Sequence, residues 1–207
     1  MTKKRVHLFV DGSNFYHGLK QNNFYKLFSY STFFQQLNKK YNIEKVYFYD
    51  AIKNMDIEPE QYSKQQVFHA RLQKDIPGLV LRTRKLKYLF ANDRLENAKK
   101  NASFCASCQP KLIQFLQDAG LQKLSKEKGI DILLVTDMVK GAFQDRYDIA
   151  LLASGDADFV PAVDLVQSLK KSVVNLHFYA GSSSELRNAC NAHSLIQLDT
   201  KGNYSFG

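Results

Sequence analysis

Cysteine is scarce in this chain: three residues in 207, an odd number that rules out a disulfide framework. Cys105, Cys108 and Cys190 are therefore expected to stay reduced, which points to the cytoplasm. Long apolar runs are missing too. Nowhere do the roughly 18 consecutive apolar residues of a spanning helix occur. The stretch Val6-His7-Leu8-Phe9-Val10 behind the basic start is too short for a signal peptide, so no membrane association is expected. Acidic side chains are outnumbered, 20 Asp and Glu against 29 Lys and Arg, for a net charge of +9. That balance favours polyanions such as nucleic acid or an acidic membrane surface. Disorder is excluded in turn, because 44% hydrophobic and 24% charged residues are ordinary values for a globular chain.

The length suits one sizeable α/β domain over residues 1–207 carrying a small insertion. Short aliphatic or aromatic runs, expected as strands, fall at 6–10, 44–51, 79–88, 148–154, 172–179 and 195–198. Helical spacings lie between them. One helix follows Phe15 with Ser13 or Asn14 as cap, a second over 31–41 starts at Ser31, and others are expected over 60–74, from Asp131, over 159–169 and over 185–192. The stretch 110–128 carries apolar positions suited to one or two helical segments around Gly120. Residues 91–109 are polar and without period, which marks an inserted loop. Strands alternating with helices predict a mostly parallel sheet with helices on both faces, whose ligands bind at the carboxyl ends of the strands.

The acids gather at that edge. The run Leu151-Leu152-Ala153 breaks at Ser154-Gly155 and then presents Asp156 and Asp158 one residue apart. Asp11 ends the first strand, and Asp131 follows a glycine turn at a helix start. Each alone suits a helix cap, but four carboxylates at one rim repel one another unless a cation sits among them. Hard oxygen ligands select Mg²⁺ or Mn²⁺, which can support displacement at a phosphodiester. Asp137, six residues beyond Asp131, lies about 120° round the helix and is assigned a capping or supporting role.

Basic residues interleave with aromatic ones at Arg82, Arg84, Lys85, Lys87, Tyr88 and Phe90, the pairing that phosphates and stacked bases require. The same strand suits a charged sheet edge guarded against aggregation. Lys128 and Lys140 are further candidates for the nucleic-acid backbone. Cys105 and Cys108 have the spacing of half a zinc site, and Cys190 with His193 supplies a second half on paper. Cys190 falls on the expected inner face of a helix, and the alternative is an inert or loosely exposed thiol pair.

Three stretches together carry a family resemblance: Asp11-Gly12-Ser13-Asn14-Phe15-Tyr16; Lys128-Gly129-Ile130-Asp131 with Asp137-Met138; and Ser154-Gly155-Asp156-Ala157-Asp158-Phe159-Val160-Pro161. In order and spacing, over nearly the whole chain, they resemble the NYN domain family, relatives of the PIN-domain nucleases that include the LabA-like proteins. The resemblance implies a PIN-like three-layer α/β/α fold and a Mg²⁺- or Mn²⁺-dependent ribonuclease. It also implies acidic ligands at Asp11, Asp131, Asp156 and Asp158. Asn14 matches an asparagine that orients the first acid or contacts substrate, and Ser154 a small polar residue in the same rim. Ala157 departs from the family's frequent serine, which removes a hydrogen bond but no ligand. Beside a metal-dependent endoribonuclease stand two other readings: an RNA-binding or regulatory module with little turnover, and a phosphatase using the same acids. RNA is the expected partner, with DNA equally compatible with the charge.

Overall fold

A computed structural model describes residues 4–90, 105–118, 123–126 and 129–207. The chain divides into two compact units, Met1–Arg84 with Gly129–Gly207, and the inserted Lys85–Lys128.

The main unit is built on a seven-stranded sheet in the order β3-β2-β1-β6-β7-β8-β9. Its strands are β1 (Val6–Asp11), β2 (Ile43–Ile52), β3 (Leu79–Lys85), β6 (Ile149–Ala153), β7 (Ser172–His177), β8 (Ala192–Leu198) and β9 (Tyr204–Phe206). β1 pairs in parallel with both β2 and β6, β6 with β7, and β7 with β8, while β9 returns antiparallel on β8. All six residues of β1 are buried, as a parallel strand covered on both faces demands.

Helices lie between the strands: α1 (Gly12–Gln21), α2 (Tyr30–Tyr41), α3 (Pro59–Asp75), α5 (Ile130–Phe143), α6 (Val160–Ser168) and α7 (Ser184–Ala189). The inserted unit holds α4 (Cys108–Asp118) and an antiparallel pair, β4 (Lys87–Phe90) with β5 (Lys123–Lys126).

Alternation along β1 builds the layers. Val6, Leu8 and Val10 join Phe15 and Leu19 of α1, Phe33, Phe34 and Leu37 of α2 and Leu72 of α3 in one continuous core. On the other face Phe9 stacks on Tyr47 at 5.2 Å and meets Tyr147, whose hydroxyl donates to Met138 O of α5 at 2.6 Å. The result is the three-layer α/β/α arrangement expected, with Tyr147, Leu134 and Met138 fully buried. No helix among the described residues is long and apolar enough to cross a membrane.

Several boundaries differ from the sequence reading. The stretch 79–88 is two strands rather than one, because the chain leaves the large sheet at Leu86 and Lys87 opens the β4–β5 pair. Within 110–128, helix α4 begins earlier, at Cys108, and β5 replaces the second helical segment; cross-strand pairing overrides a weak local spacing there. Helix α2 is capped by Ser29, whose hydroxyl accepts from Thr32 N at 3.3 Å, not by Ser31. Helix α7 stops at Ala189, so Cys190 is its C-cap rather than an inner-face residue, and the last strands are β8 and an unforeseen β9. Within the expected loop over 91–109, residues 91–104 lie outside the described residues.

Candidate active site

The order β3-β2-β1-β6-β7 reverses direction between β1 and β6, and an open parallel sheet leaves a crevice at the carboxyl ends of such a pair. Asp11 closes β1 there. It is 5% exposed, and its carboxylate is the N-cap of α1, accepting from Asn14 N at 3.1 Å. Sequence reasoning put Ser13 or Asn14 in that role; the acid itself takes it, as the last residue of β1. Gly12 follows for a steric reason, since a Cβ there would stand 2.6 Å from Tyr49 O.

The end of β6 is tied to the same place. The Ser154 hydroxyl donates to Asp11 Oδ2 at 3.1 Å and accepts from Asp156 N at 3.2 Å, so one buried side chain links both acid-bearing strands. Asn14 contributes from the other side, its Oδ1 accepting from Gly155 N at 2.8 Å. Gly155 O accepts from Ser183 N at 2.8 Å, and a Cβ on Gly155 would lie 2.2 Å from Gly181 O. Backbone of the loop after β7 thus seats directly on this turn. Asp156 Oδ1 accepts from Asp158 N at 3.0 Å, capping the short 3-10 turn Ala157–Phe159. Capping therefore falls to Asp156 rather than Asp158, which is exposed.

Asp131 stands in the first turn of α5, after Gly129 in the left-handed region at φ 84°. Burial holds the Asp11 carboxyl up at about 6, with Asp131 and Asp156 adding to the rise against the hydrogen bonds from Asn14 and Ser154. Asp131 is likewise raised, first by partial burial and then by Asp156 and Asp158. Asp11 thus lies within electrostatic reach of Asp131 and Asp156, and Asp131 within that of Asp156 and Asp158. Among the described residues none of the four has an ion-pair partner. Nor, among them, do three His, Cys, Asp or Glu groups already form a cage that could hold a metal ion. An uncompensated set of hard oxygen donors still fits Mg²⁺, which is commonly held by one or two carboxylates and keeps several waters.

Asp137 is not part of this rim. Its Oδ2 accepts from the Tyr49 hydroxyl at 3.1 Å and pairs with Arg82 Nε at 3.0 Å. Arg82, a candidate for RNA phosphate in the sequence, is thereby engaged by an acid of its own unit. Arg84 is exposed, and its side chain passes within 4 Å of where a Gly129 Cβ would stand, two residues before Asp131. Lys140 is exposed in the last turn of α5. Lys85 and Lys87 are exposed in the inserted unit, and Lys128 lies outside the described residues.

The zinc expectation gains no support. Cys105 and Cys108 form a close pair, but Cys190 is partly buried and its thiol is pushed up to about 12 by burial. His193 Nδ1 lies 3.3 Å from His177 Nε2. Sequence reasoning also missed Asn175. Fully buried on β7, it donates from Nδ2 to Ser154 O at 2.8 Å and Leu152 O at 3.1 Å, holding the end of β6 in place. The available signal was an amide inside the apolar run Val173-Val174-Asn175-Leu176.

A family model for the NYN domain matches residues 5–198. Comparison with curated proteins returns no match. Among solved structures, a protein of unknown function from Vibrio parahaemolyticus superimposes with a TM-score of 0.61 over 94% of each chain. At 17% identity that likeness is one of fold alone.

Proposed function

The chain belongs to the NYN domain family, whose PIN-like nuclease character points to nuclease-like, RNA-related chemistry, and from that premise we propose a divalent-metal-dependent endoribonuclease. The observation that carries the reading is the convergence of Asp11, Asp131, Asp156 and Asp158 from three separate segments, with Asp11 and Asp131 pushed toward protonation by burial and by neighbouring acids of the set. Asp11, Asp131, Asp156 and Asp158 are the residues that would hold Mg²⁺ or Mn²⁺. When bound, the ion supplies charge neutralisation at the scissile phosphate and Lewis-acid activation for hydrolysis.

The chain's own groups supply positioning. Ser154 fixes the Asp11 carboxylate and, through Asp156 N, the turn that presents the second acid. Asn14 ties Gly155 to α1, so a hydrogen bond joins the two acid-bearing strand ends. Arg84 and Lys140 attract the RNA backbone by charge, and Lys85, Lys87 and Lys128 are separate candidates for such contacts carried by the inserted unit. The pair Arg82–Asp137 ties β3 to the middle of α5 instead of meeting phosphate. Catalysis of this kind belongs with RNA substrates in the cytoplasm, and DNA shares the phosphodiester chemistry.

Labelled single-stranded and structured RNAs, incubated with Mg²⁺ or Mn²⁺ and separately with a chelator, test the reading. Metal-dependent internal cleavage that disappears with Asp156→Asn supports it; cleavage surviving that change, or none on any RNA, defeats it. A module that binds RNA with little turnover is the second reading, favoured by the lack of a preformed metal cage among the described residues. RNA binding that weakens steeply with salt while no cleavage is seen would decide for it.

A further inference from the structure

Two cysteines left over from the nuclease reading lie side by side in the inserted unit. Cys105 and Cys108 are both exposed, and their Sγ atoms stand 2.8 Å apart. The turn that brings them together is hydrogen-bonded: Cys105 O accepts from Cys108 N at 3.0 Å and from Gln109 N at 3.3 Å. Cys108 is the first residue of the 11-residue helix α4. Ser107 Oγ lies 3.1 Å from Cys105 Sγ, so a Cys105 thiolate has two donors within reach, the Cys108 thiol and the Ser107 hydroxyl. A disulfide needs sulfurs about 2.05 Å apart. The shift required of this pair is therefore small.

We propose that Cys105 and Cys108 form a redox-active dithiol, a site for thiol–disulfide exchange with low-molecular-weight disulfides of the glutathione class. The inference is independent of the nuclease reading. Cys105 attacks one sulfur of the small disulfide; that S–S bond breaks, a mixed disulfide forms at Cys105, and one small thiolate leaves. Cys108 gives up its proton and attacks Cys105 Sγ, closing the internal disulfide and expelling the second small thiolate. Two protein thiols are oxidised by two electrons, the small disulfide is reduced to two thiols, and the two protein protons end on them. Hydrogen bonds from Cys108 and then Ser107 lower the Cys105 thiol to about 7, which places the attacking group near ambient pH, where exchange is fastest. Cys190 is a built-in contrast, since burial pushes its thiol up to about 12.

The test uses the full chain, reduced and freed of metal, exposed to glutathione redox buffers and read by intact mass and by alkylation of the remaining thiols. Expected is a loss of two hydrogens per chain, both at Cys105 and Cys108, with Cys190 unmodified until the protein is unfolded. Alkylation of Cys105 in the reduced protein should rise with a midpoint near pH 7 rather than the ordinary value of about 8.5. Cys108→Ser should trap one glutathione adduct at Cys105, whereas Cys105→Ser should prevent the internal disulfide; unchanged circular dichroism of both variants excludes misfolding as the cause. Adducts on both cysteines without an internal bond, or a midpoint at the ordinary value, would each overturn the proposal.

Discussion

The two ends of the β1–β6 pair handle aspartate in opposite ways. At the carboxyl ends Asp11, Asp156 and, from α5, Asp131 face one another among described residues that offer them no ion pair, and Asp11 and Asp131 are pushed up. At the amino ends Asp148 accepts from Arg5 N and Arg5 Nη2, both at 2.8 Å, while Lys171 reaches it at 3.7 Å. Asp145 joins the same two cations. Arg5 holds the Asp148 carboxyl far below the usual carboxylate range. One sheet therefore carries a neutralised acid cluster that serves stability and an uncompensated one whose charge is left for something else to balance. Repulsion stored at a crevice is a mark of function, because a cluster kept only for stability would be expected to resemble the Arg5 end.

The sharpest break in the comparison comes from chemistry. Asp11→Asn or Asp156→Asn should lower metal-dependent RNA cleavage by about a thousandfold or more, since a metal contributes several kcal/mol of charge stabilisation. Asp148→Asn should leave the rate within about twofold, its group lying with Arg5 and Lys171 at the opposite end of the strands from the rim. Initial rates on one labelled RNA, at saturating Mn²⁺, compare the three. Gly155→Ala comes next in size. Its Cβ would stand 2.2 Å from the Gly181 carbonyl, and backbone on both sides cannot yield cheaply. A loss of about 3 kcal/mol in urea unfolding is expected, the upper part of the overpacking range, with reduced cleavage because the turn carrying Asp156 must move.

These effects concern groups that were legible to different degrees before the fold was known. Asp11, Asp131, Asp156 and Asp158 could be placed on one rim because each ends an apolar run or follows a glycine turn, and a parallel sheet brings such ends together. The separation of Asp131 from Asp137 was legible as well, from helical geometry alone. What Asp137 meets instead was not, since Tyr49 and Arg82 come from strands far away in sequence. For the same reason Arg82 looked like a free phosphate ligand. The caps of α1 and α2 were misplaced by two or three residues because serine, asparagine and aspartate occur in clusters there, and only backbone geometry selects among them. Strand β9 was missed although Tyr204-Ser205-Phe206 alternates, being too short for period alone to mark it.

A thermodynamic test sharpens the same contrast. Folding carries the Asp11 carboxyl from an ordinary 3.8 to about 6, a cost to the charged form of about 2–3 kcal/mol. Because the folded value is raised, stability from this group is present in acid and is lost as pH climbs from about 4 to 6. Asparagine keeps the cap at α1 without the charge. Asp11→Asn should therefore be more stable than the parent protein at pH 7 by about 2 kcal/mol, and equal to it below pH 4. Urea unfolding at both pH values measures this. Added Mg²⁺ should raise the melting temperature of the parent protein at pH 7 and leave that of Asp11→Asn nearly unmoved.

The smallest effect lies at the other end and has the opposite sign. The Asp148 pKa is depressed, so its contribution is present above its unfolded value near 4 and is lost as pH falls through the folded value. With 34% of the Asp148 side chain exposed, solvent screening limits that contribution to about 1 kcal/mol or less. Asp148→Asn should accordingly destabilise the protein slightly at pH 7, and the deficit should close in acid, where Asp11→Asn loses its advantage as well. Salt separates the two further. Raising ionic strength toward 1 M should erode the Asp148 effect, because its partners are in contact with water, and should change the Asp11 effect less, since its cost comes first from burial. Equal salt sensitivity at the two ends would mean that charge repulsion among the acids, not desolvation, dominates at Asp11. Its cost would then be set by Asp131 and Asp156, and Asp131→Asn should recover most of the same stability.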